Sequence, residues 1–377
     1  MRPTAARSWA STRSSSPSAR SPGASSAPRP PPGLGSTGSS SQRSSCSASP
    51  SSRSGDCGPS STSWGPRQRG SDRDRPGNRP PEVPYHRPGI TTLEGAVART
   101  AFVTDSASDL DLAVAQAAGI RIVPLAVTFG TDTYRAGVDL STADFWKRMT
   151  APDAPFPKTA AASPGDFKAI YDEAFADGAD AIVSVHVAGT LSGAIKSAEI
   201  ARSMLPDREI HVVDSQGASM AEAILCFLGQ EMAAGGSSAA EIAEALSDRA
   251  NDLRMVVSLE TLEYLKKGGR ISGAQAAIGT LLSVKPIISV EHGVVETADK
   301  PRTRSKSRER CIELLTERPI ERISILHTMA PDVEAFTAEV VRRGKLNPVE
   351  VMVSIVGPSV GPHLGPGCLG AAVLYER

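Results

Sequence analysis

The chain has 377 residues, and its 41 lysines and arginines balance 41 aspartates and glutamates. No apolar run approaches the roughly 20 residues that a membrane-spanning helix needs, which excludes an integral membrane protein. The overall net charge of zero is the sum of two oppositely charged parts, because residues 1–95 carry a net charge of +8 and the rest carries −8. An acidic body argues against nucleic-acid binding, which needs clustered lysine and arginine.

Residues 1–95 differ in composition from everything that follows. They hold 13 arginines, no lysine, 24 serines and 15 of the 29 prolines. Such a segment cannot bury enough apolar surface to offset its backbone entropy. We therefore expect residues 1–95 to be a disordered Ser/Pro/Arg-rich extension, or the product of a misassigned start codon.

From residue 98 onward, short apolar runs alternate with segments of helical periodicity, which is typical of an α/β fold with a parallel sheet. We predict two lobes, 98–255 and 256–377, with a mainly parallel sheet in the first, an α/β arrangement in the second and a ligand between them. Strands are predicted over residues 101–103, 121–128, 181–185, 209–213, 255–258, 286–290, 323–327, 350–356 and 371–374.

Helix signals lie between these strands. Ser163 precedes proline, glycine and aspartate, which predicts an N-cap, and Ser141 gives a weaker signal of the same kind. Gly119 and Gly178 stand where helices are expected to end. A further helix is predicted over residues 260–267.

Several common sites are not supported. Residues 365–370 match the dinucleotide-binding glycine pattern, but they precede a predicted final strand rather than a helix, and no Walker-type loop occurs. The six histidines and five cysteines show no metal-ligand spacing and no disulfide framework. We expect no cofactor, no metal and a reduced, cytoplasmic setting.

Hydroxyl-bearing turns follow three predicted strands: Thr104 to Ser106, Ser192-Gly193 and Asp214-Ser215. Because parallel strands end at one edge of a sheet, these turns are expected to converge and to hold a carboxylate or phosphate. Taken singly, each turn is more often a helix cap, and only their convergence favours a binding site.

Two further residues stand out. Arg270 follows a glycine pair, where its guanidinium suits a phosphate or carboxylate, although the glycines also fit an ordinary helix end. His363 lies in a loop of glycines and prolines that would fix its position.

Six motifs in order, taken together, resemble DegV proteins over about residues 98–377. They lie at residues 104–110, 159–167, 191–198, 262–271, 284–287 and 363–367. The sequence departs from the usual family pattern at Ala160, Ala161 and Ala162, which replace a polar segment, and at Ala194, Pro362 and Leu364.

The resemblance implies a two-domain protein that holds a long-chain fatty acid and presents its carboxylate to a separate, ATP-dependent kinase subunit, as in bacterial fatty acid kinase, for phospholipid synthesis. Thr159, Ser192, Gly193 and His363 would surround the carboxylate, and Arg270 would contact the kinase or a phosphate. The chain itself would then be a lipid-binding protein and no enzyme. The alternatives are a self-sufficient hydrolase or phosphotransferase that uses Ser192 and His363, and a lipid-sensing regulator.

The sequence also suggests how the hydrocarbon tail is accommodated. Small and apolar side chains after Arg270 could line a tunnel, although a helix packed on a sheet has the same pattern. These residues are Ala276, Ala277, Ile278, Gly279, Leu281 and Leu282.

Overall fold

A computed structural model describes residues 99–271 and 284–377. All of these residues belong to one compact unit, Tyr85–Arg377. The predictions for residues 1–95 and for the tunnel lining at Ala276, Ala277, Ile278, Gly279, Leu281 and Leu282 lie outside the described residues. Within the described ranges, no helix is both long and apolar enough to cross a membrane.

The first lobe contains seven strands and six helices among the described residues. In chain order they are β1 (Thr100–Asp105), α1 (Leu112–Ala118), β2 (Ile120–Val123), β3 (Ala126–Phe129), β4 (Asp132–Arg135), α2 (Thr142–Met149), β5 (Lys158–Ala160), α3 (Pro164–Ala176), β6 (Ala181–His186), α4 (Ala194–Ser203), β7 (Glu209–Asp214), α5 (Met220–Ala234) and α6 (Ala239–Arg249).

The second lobe follows with six strands and four helices in the described part. They are β8 (Leu253–Ser258), α7 (Glu263–Lys267), β9 (Ile287–Glu291), β10 (Val294–Asp299), α8 (Arg304–Leu315), β11 (Ile320–His327), α9 (Val333–Gly344), β12 (Met352–Ile355), α10 (Gly361–Leu364) and β13 (Leu369–Tyr375). The six strands share one sheet, so the fold is two-lobed α/β. The boundary near residue 255 stays a prediction.

The main sheet of the first lobe is entirely parallel, in the order β2-β1-β6-β7. This confirms the prediction of a mainly parallel sheet. The register pairs Asp105 with Val123 and His186 with Asp214, so these strands end at the same edge. That edge carries the polar turns that the sequence indicates.

The prediction of one continuous strand over residues 121–128 is wrong, because the structure has two strands there. The segment is divided at Pro124 into β2, in the parallel sheet, and β3, in an antiparallel sheet of order β4-β3-β5. Proline has no N–H to donate to a ladder, which favours a break between the two sheets. The small sheet carries β5, which brings Thr159 to the site.

The six-stranded sheet has the order β10-β9-β8-β13-β11-β12. Only β11 and β12 are parallel, so the alternating parallel pattern predicted from residue 98 onward does not extend into this lobe. Strand β13 lies in the middle of the sheet, and Gly370 approaches β8 closely. A Cβ at Gly370 would lie 2.1 Å from the carbonyl oxygen of Val256, so only glycine fits there.

The predicted helix signals agree well with the structure. Ser163 caps α3 in a reciprocal capping box with Asp166, and Ser141 caps α2. Gly119 ends α1 in the left-handed conformation, and Gly178 has a positive φ one residue beyond the C-cap of α3. Helix α7 is shorter than predicted because it begins at Glu263 rather than at residue 260.

Candidate functional site

An inner cavity of about 100 Å³ lies between the two lobes. Most of its wall is apolar, which suits hydrocarbon rather than water. The apolar wall comes from both lobes and consists of Ala107, Leu125, Ala160, Ala161, Val187, Leu191, Ala218, Met255, Leu265, Ile288, Val290, Val295, Val360 and Leu364.

All of the predicted site residues line this inner cavity. Thr159 comes from β5, Ser192 and Gly193 from the loop before α4, and His363 from α10, while Arg270 follows α7. Segments that are far apart in the sequence therefore contribute polar groups to one largely apolar cavity. Such groups can bind an acidic head group by hydrogen bonds while the apolar wall contacts a hydrocarbon tail.

The closest contact among these side chains joins Thr159 and His363. The Thr159 Oγ1 lies 3.1 Å from His363 Nε2, at hydrogen-bond distance. The segment that leads to His363 is attached to α2, because Trp146 donates from its indole N–H to the carbonyl of Val356 at 2.8 Å. Gly361, at the start of α10, packs so closely that a Cβ would lie 2.6 Å from the Phe145 ring.

Burial controls the protonation of His363. Desolvation, assisted by the positive charge of Arg270, lowers the pKa of His363 to about 4, so the imidazole is neutral at pH 7. Its Nδ1 is buried and has no hydrogen-bond partner among the described residues. A Cβ on Gly268 would lie 2.1 Å from that nitrogen, so the absence of a side chain at residue 268 makes room for the ring.

Arg270 is held by backbone oxygens. Its Nε donates to the carbonyl of Leu191 at 3.1 Å, and its Nη1 donates to the carbonyl of Gly268 at 2.8 Å. The guanidinium is thereby fixed against the loop that carries Ser192, whose Oγ accepts from the N–H of Ala194 at 3.2 Å. These contacts place a fixed positive charge beside the hydroxyl and imidazole groups.

A wider opening, called the outer cleft here, adjoins the inner cavity. It has a volume of about 420 Å³ and shares Leu191, Ser192, Gly193 and Arg270 with the cavity. The rest of its lining is Gly189, Thr190, Ile195, Lys196 and Gly269.

Ser359 is a cavity residue that was not predicted from the sequence. Its side chain lines the inner cavity, and its Oγ lies 2.8 Å from the Oγ of Ser106. Ser106 also accepts from the N–H of Leu125 at 2.8 Å, which ties the end of β1 to the cavity wall. The sequence offered one signal for this contact, the Thr-Asp-Ser turn at residues 104–106. It singled out Ser106 but could not identify Ser359 as its partner.

A buried chain of polar groups supports the parallel sheet behind the cavity. Asp105 Oδ2 lies 3.0 Å from His186 Nδ1, and His186 Nε2 lies 2.6 Å from Ser184 Oγ. The Tyr171 hydroxyl donates to Ser184 at 2.9 Å. All four residues are completely buried, so the network fixes β1, β6 and α3 relative to one another.

Two further carboxyl groups are buried nearby. Burial raises the pKa of Asp109 to about 7 and raises the pKa of Glu222 well above its ordinary value, in both cases with a contribution from Asp105. Asp109 accepts from the Ser219 hydroxyl at 2.6 Å and from the N–H of Gly357 at 2.8 Å. It thus connects the first lobe to the 357–364 segment that carries His363.

Asp214 and Ser215 were expected to converge with the other polar turns. They lie at the same sheet edge, but neither lines the inner cavity. Asp214 instead accepts from the N–H groups of Gly189 and Gln216, so it supports the loop before α4. Within the described ranges, no group of three or more metal-binding side chains is found.

Comparison with known proteins agrees with this architecture. The family model described as "Uncharacterised protein, DegV family" matches residues 99–376. A DegV domain-containing protein of Streptomyces coelicolor is 34% identical over 277 residues, which is 72% of this chain and 97% of the relative. The protein DegV of Bacillus subtilis is 31% identical over 281 residues, or 73% of this chain and 99% of the relative.

Solved structures show the same fold. A fatty-acid-binding DegV family protein from Thermus thermophilus has a TM-score of 0.68 and 34% identity, over 74% of this chain and all of that chain. DegV of Bacillus subtilis, also described as a fatty acid binding protein, has a TM-score of 0.65 and 31% identity over the same shares. With a family model that spans both lobes, and relatives matched over nearly their whole length, this chain belongs to the DegV family.

Proposed function

We propose that the protein binds a long-chain fatty acid, with its carboxylate at the polar groups of the inner cavity, and presents that carboxylate to a separate ATP-dependent kinase subunit. The observation that carries the proposal is a cavity whose wall is mostly apolar and which Thr159, Ser192 and His363 also line. Fatty acid binding by the Thermus thermophilus and Bacillus subtilis structures, at 34% and 31% identity, supports the same ligand class.

The energetics favour this ligand. Transfer of a 16-carbon tail from water contributes on the order of 12 kcal/mol, at about 0.8 kcal/mol per methylene, before the costs of ordering the chain are subtracted. A buried carboxylate needs hydrogen-bond donors, because an unpaired charge costs several kcal/mol. The hydroxyls of Thr159 and Ser192, the Gly193 backbone and the His363 ring would supply these contacts.

The chemistry assigned to the partner is phosphoryl transfer. A carboxylate oxygen forms a bond to the γ-phosphorus of ATP, the bond from that phosphorus to the β–γ bridging oxygen breaks, and ADP leaves with the electron pair. This chain would orient the carboxylate, and Arg270 would contact the transferred phosphate or the kinase surface. We assign no self-sufficient catalysis to it and place the complex in the bacterial cytoplasm.

The geometry of the site favours a fatty-acid-binding protein over a serine hydrolase. In such an enzyme the histidine contacts the nucleophilic hydroxyl. Here His363 Nε2 is bonded to Thr159, while Ser192 Oγ accepts from the N–H of Ala194. Activity of the purified protein alone on esters or phosphates, abolished in Ser192→Ala, would reverse this preference.

The experiment uses the full chain purified from lipid-replete cells. Mass spectrometry of a solvent extract is expected to show one bound acyl chain per protein. The kinase subunit and ATP are then added, and hydroxylamine traps acyl phosphate as a hydroxamate. The Arg270→Ala variant is expected to retain lipid but to give less hydroxamate.

Two negative results have different meanings. Protein without any acyl chain would contradict fatty acid binding. Protein that retains its lipid but yields no hydroxamate would contradict presentation to a kinase and would favour a lipid-sensing regulator.

A further inference from the structure

Met255 of β8 lines the inner cavity from the sheet of the second lobe. The register pairs Met255 with Val290 of β9, and Val290 with Val295 of β10, and all three line the cavity. Paired residues share one face of a sheet, so these side chains form a row across the face that borders the cavity. Neighbouring strands lie about 4.8 Å apart, so the row spans about 10 Å.

In this row, the cavity lining ends at Met255 among the described residues. The next side chain of the row, Ala372 of β13, is completely buried and does not line the cavity. Leu253, two residues earlier on the same face of β8, is also buried outside the lining. Both pack into a core that includes side chains of α5 and α6. Met255 therefore lies at the boundary between the cavity and a close-packed core.

The opposite end of the row lies toward the head-group residues. Val295 is the second residue of β10, close to the turn that joins β9 to β10. That turn contacts the loop before α4, because the Thr190 hydroxyl donates to the carbonyl of Gly293. Thr190 precedes Ser192 by two residues in this loop. Met255 is the member of the row farthest from this contact, since it lies two strands away from Val295.

The course of the chain along β8 gives the same direction. Met255 lies three residues before the end of the strand at Ser258, or about 10 Å at about 3.3 Å per residue. Beyond Ser258 the chain continues into α7 and Arg270, and α7 packs against α10, which carries His363. Met255 is therefore separated from the head-group residues along the strand as well as across the sheet.

The side chain of Met255 also differs from the rest of the wall. It is the only methionine in the described lining, whose other apolar residues are alanine, valine, leucine and isoleucine. An unbranched methionine adapts to irregular spaces, whereas β-branched side chains are stiff. The cavity, at about 100 Å³, is smaller than the roughly 300–1,000 Å³ of typical ligand pockets, so side chains of the wall must move when a tail enters. Met255 is the residue best suited to that movement.

We propose that Met255 contacts the methyl end of the fatty acid tail and thereby determines which chain length binds best. The inference rests on the proposed function, in which the carboxylate lies at Thr159, Ser192 and His363. Each buried methylene raises the affinity about fourfold. Once the tail reaches Met255, a longer tail overpacks the core behind it, which is unfavourable. Affinity should therefore rise with chain length to one best length and then fall.

The test measures dissociation constants for odd and even saturated fatty acids from laurate to arachidate, by displacement of a fluorescent fatty acid. Met255→Ala removes the side chain beyond Cβ and leaves room for about two methylene groups, so the best length should increase by about two carbons. The affinity for an acid two carbons longer than the wild-type optimum, relative to that optimum, should rise about tenfold. Mass spectrometry of lipid extracted from the purified variant should show the same shift.

A second variant covers the case in which the alanine protein does not fold. Met255→Val is a smaller truncation, and valine suits a strand. We expect it to increase the best length in the same direction, but by less than Met255→Ala.

The matched control is Met352→Ala. Met352 belongs to β12, at the far edge of the same sheet, and the register places it in the same row and on the same face as Met255. It does not line the cavity, so its best length should equal that of the wild type. An unchanged best length in the folded Met255 variants, or the same increase in Met352→Ala, overturns the inference. A wild type that binds none of these acids would instead contradict the proposed function.

Discussion

The hydrogen bond between Thr159 and His363 joins two side chains that lie 204 positions apart in the sequence. It fixes the ring of a neutral histidine whose other nitrogen is buried without a partner among the described residues. A carboxylate near this pair would meet a hydroxyl that is already oriented. Preorganised donors of this kind bind an anion without an additional cost for ordering side chains.

Replacement of Thr159 by valine keeps the shape of the side chain but removes its hydroxyl. We expect Thr159→Val to weaken fatty acid binding by about 1.5–3 kcal/mol, the usual contribution of a hydrogen bond to a charged group. Displacement of a fluorescent fatty acid measures the change. Thr128→Val is the control, because Thr128 belongs to the same small sheet but bonds to Thr133 on an exposed face. Equal affinities in the two variants would contradict the assignment.

At the scale of elements, the close approach of α7 to α10 decides where His363 lies. Gly268 ends α7, and its lack of a side chain leaves room for the imidazole. Gly365 follows α10 with a φ of 75°, and a Cβ there would lie 2.2 Å from the Tyr264 ring. The two glycines thus allow the helix ends to pack directly against each other.

A methyl group at residue 268 would collide with the ring nitrogen. We expect Gly268→Ala to displace His363 and to weaken fatty acid binding at least as much as Thr159→Val. Gly165→Ala is the matched control, because its added Cβ would meet only Ser163 Oγ, at an ordinary 3.6 Å. Crystal structures of both variants would locate the ring, and an undisplaced His363 in Gly268→Ala would refute the steric argument.

Much of the fold was predictable at this scale because local chemistry defines many elements. Apolar runs identified most strands, and the Ser163 capping box marked the start of α3. Strands β4, β5 and β10 were missed because they are short or carry exposed polar residues, so burial does not impose a clear pattern. The candidate site residues could be identified because they lie in motifs that resemble those of a known family. The contact between Ser106 and Ser359 could not, because the two residues lie 253 positions apart in the sequence and meet only through tertiary packing.

At the scale of the whole molecule, Asp109 connects elements from both lobes. It bonds to Ser219, just before α5, and to Gly357, just after β12. Its φ of 52° is unusual for a residue other than glycine, which indicates that tertiary contacts determine the local backbone. The ionisation state of one buried carboxyl group therefore affects a junction between the lobes.

The raised pKa of Asp109 predicts a pH dependence of stability. The folded protein retains a proton up to about pH 7, whereas the unfolded chain loses it near pH 4. The free energy of unfolding should therefore decrease as pH rises through this window, by at most about 4 kcal/mol at 1.36 kcal/mol per pKa unit. Urea unfolding at pH 5 and pH 8 should show a smaller decrease for Asp109→Asn than for the wild type.

The control for this measurement is Asp111→Asn, which removes an exposed carboxylate two residues away and keeps a good helix cap. Its pH dependence should match that of the wild type. Identical pH dependence in Asp109→Asn and the wild type would show that Asp109 does not hold the proton. The titration of His363 is common to all three proteins and does not affect the comparison.

The distance in sequence between Thr159 and His363 has a consequence during protein synthesis. A ribosome that has completed the first lobe has made the threonine but not the histidine, so the emerging chain lacks a finished head-group site. Lipid capture then requires nearly complete translation and docking of the second lobe. By mass action, a fatty acid bound at this site would accordingly stabilise only the complete and folded chain, by an amount that grows with the concentration of free ligand.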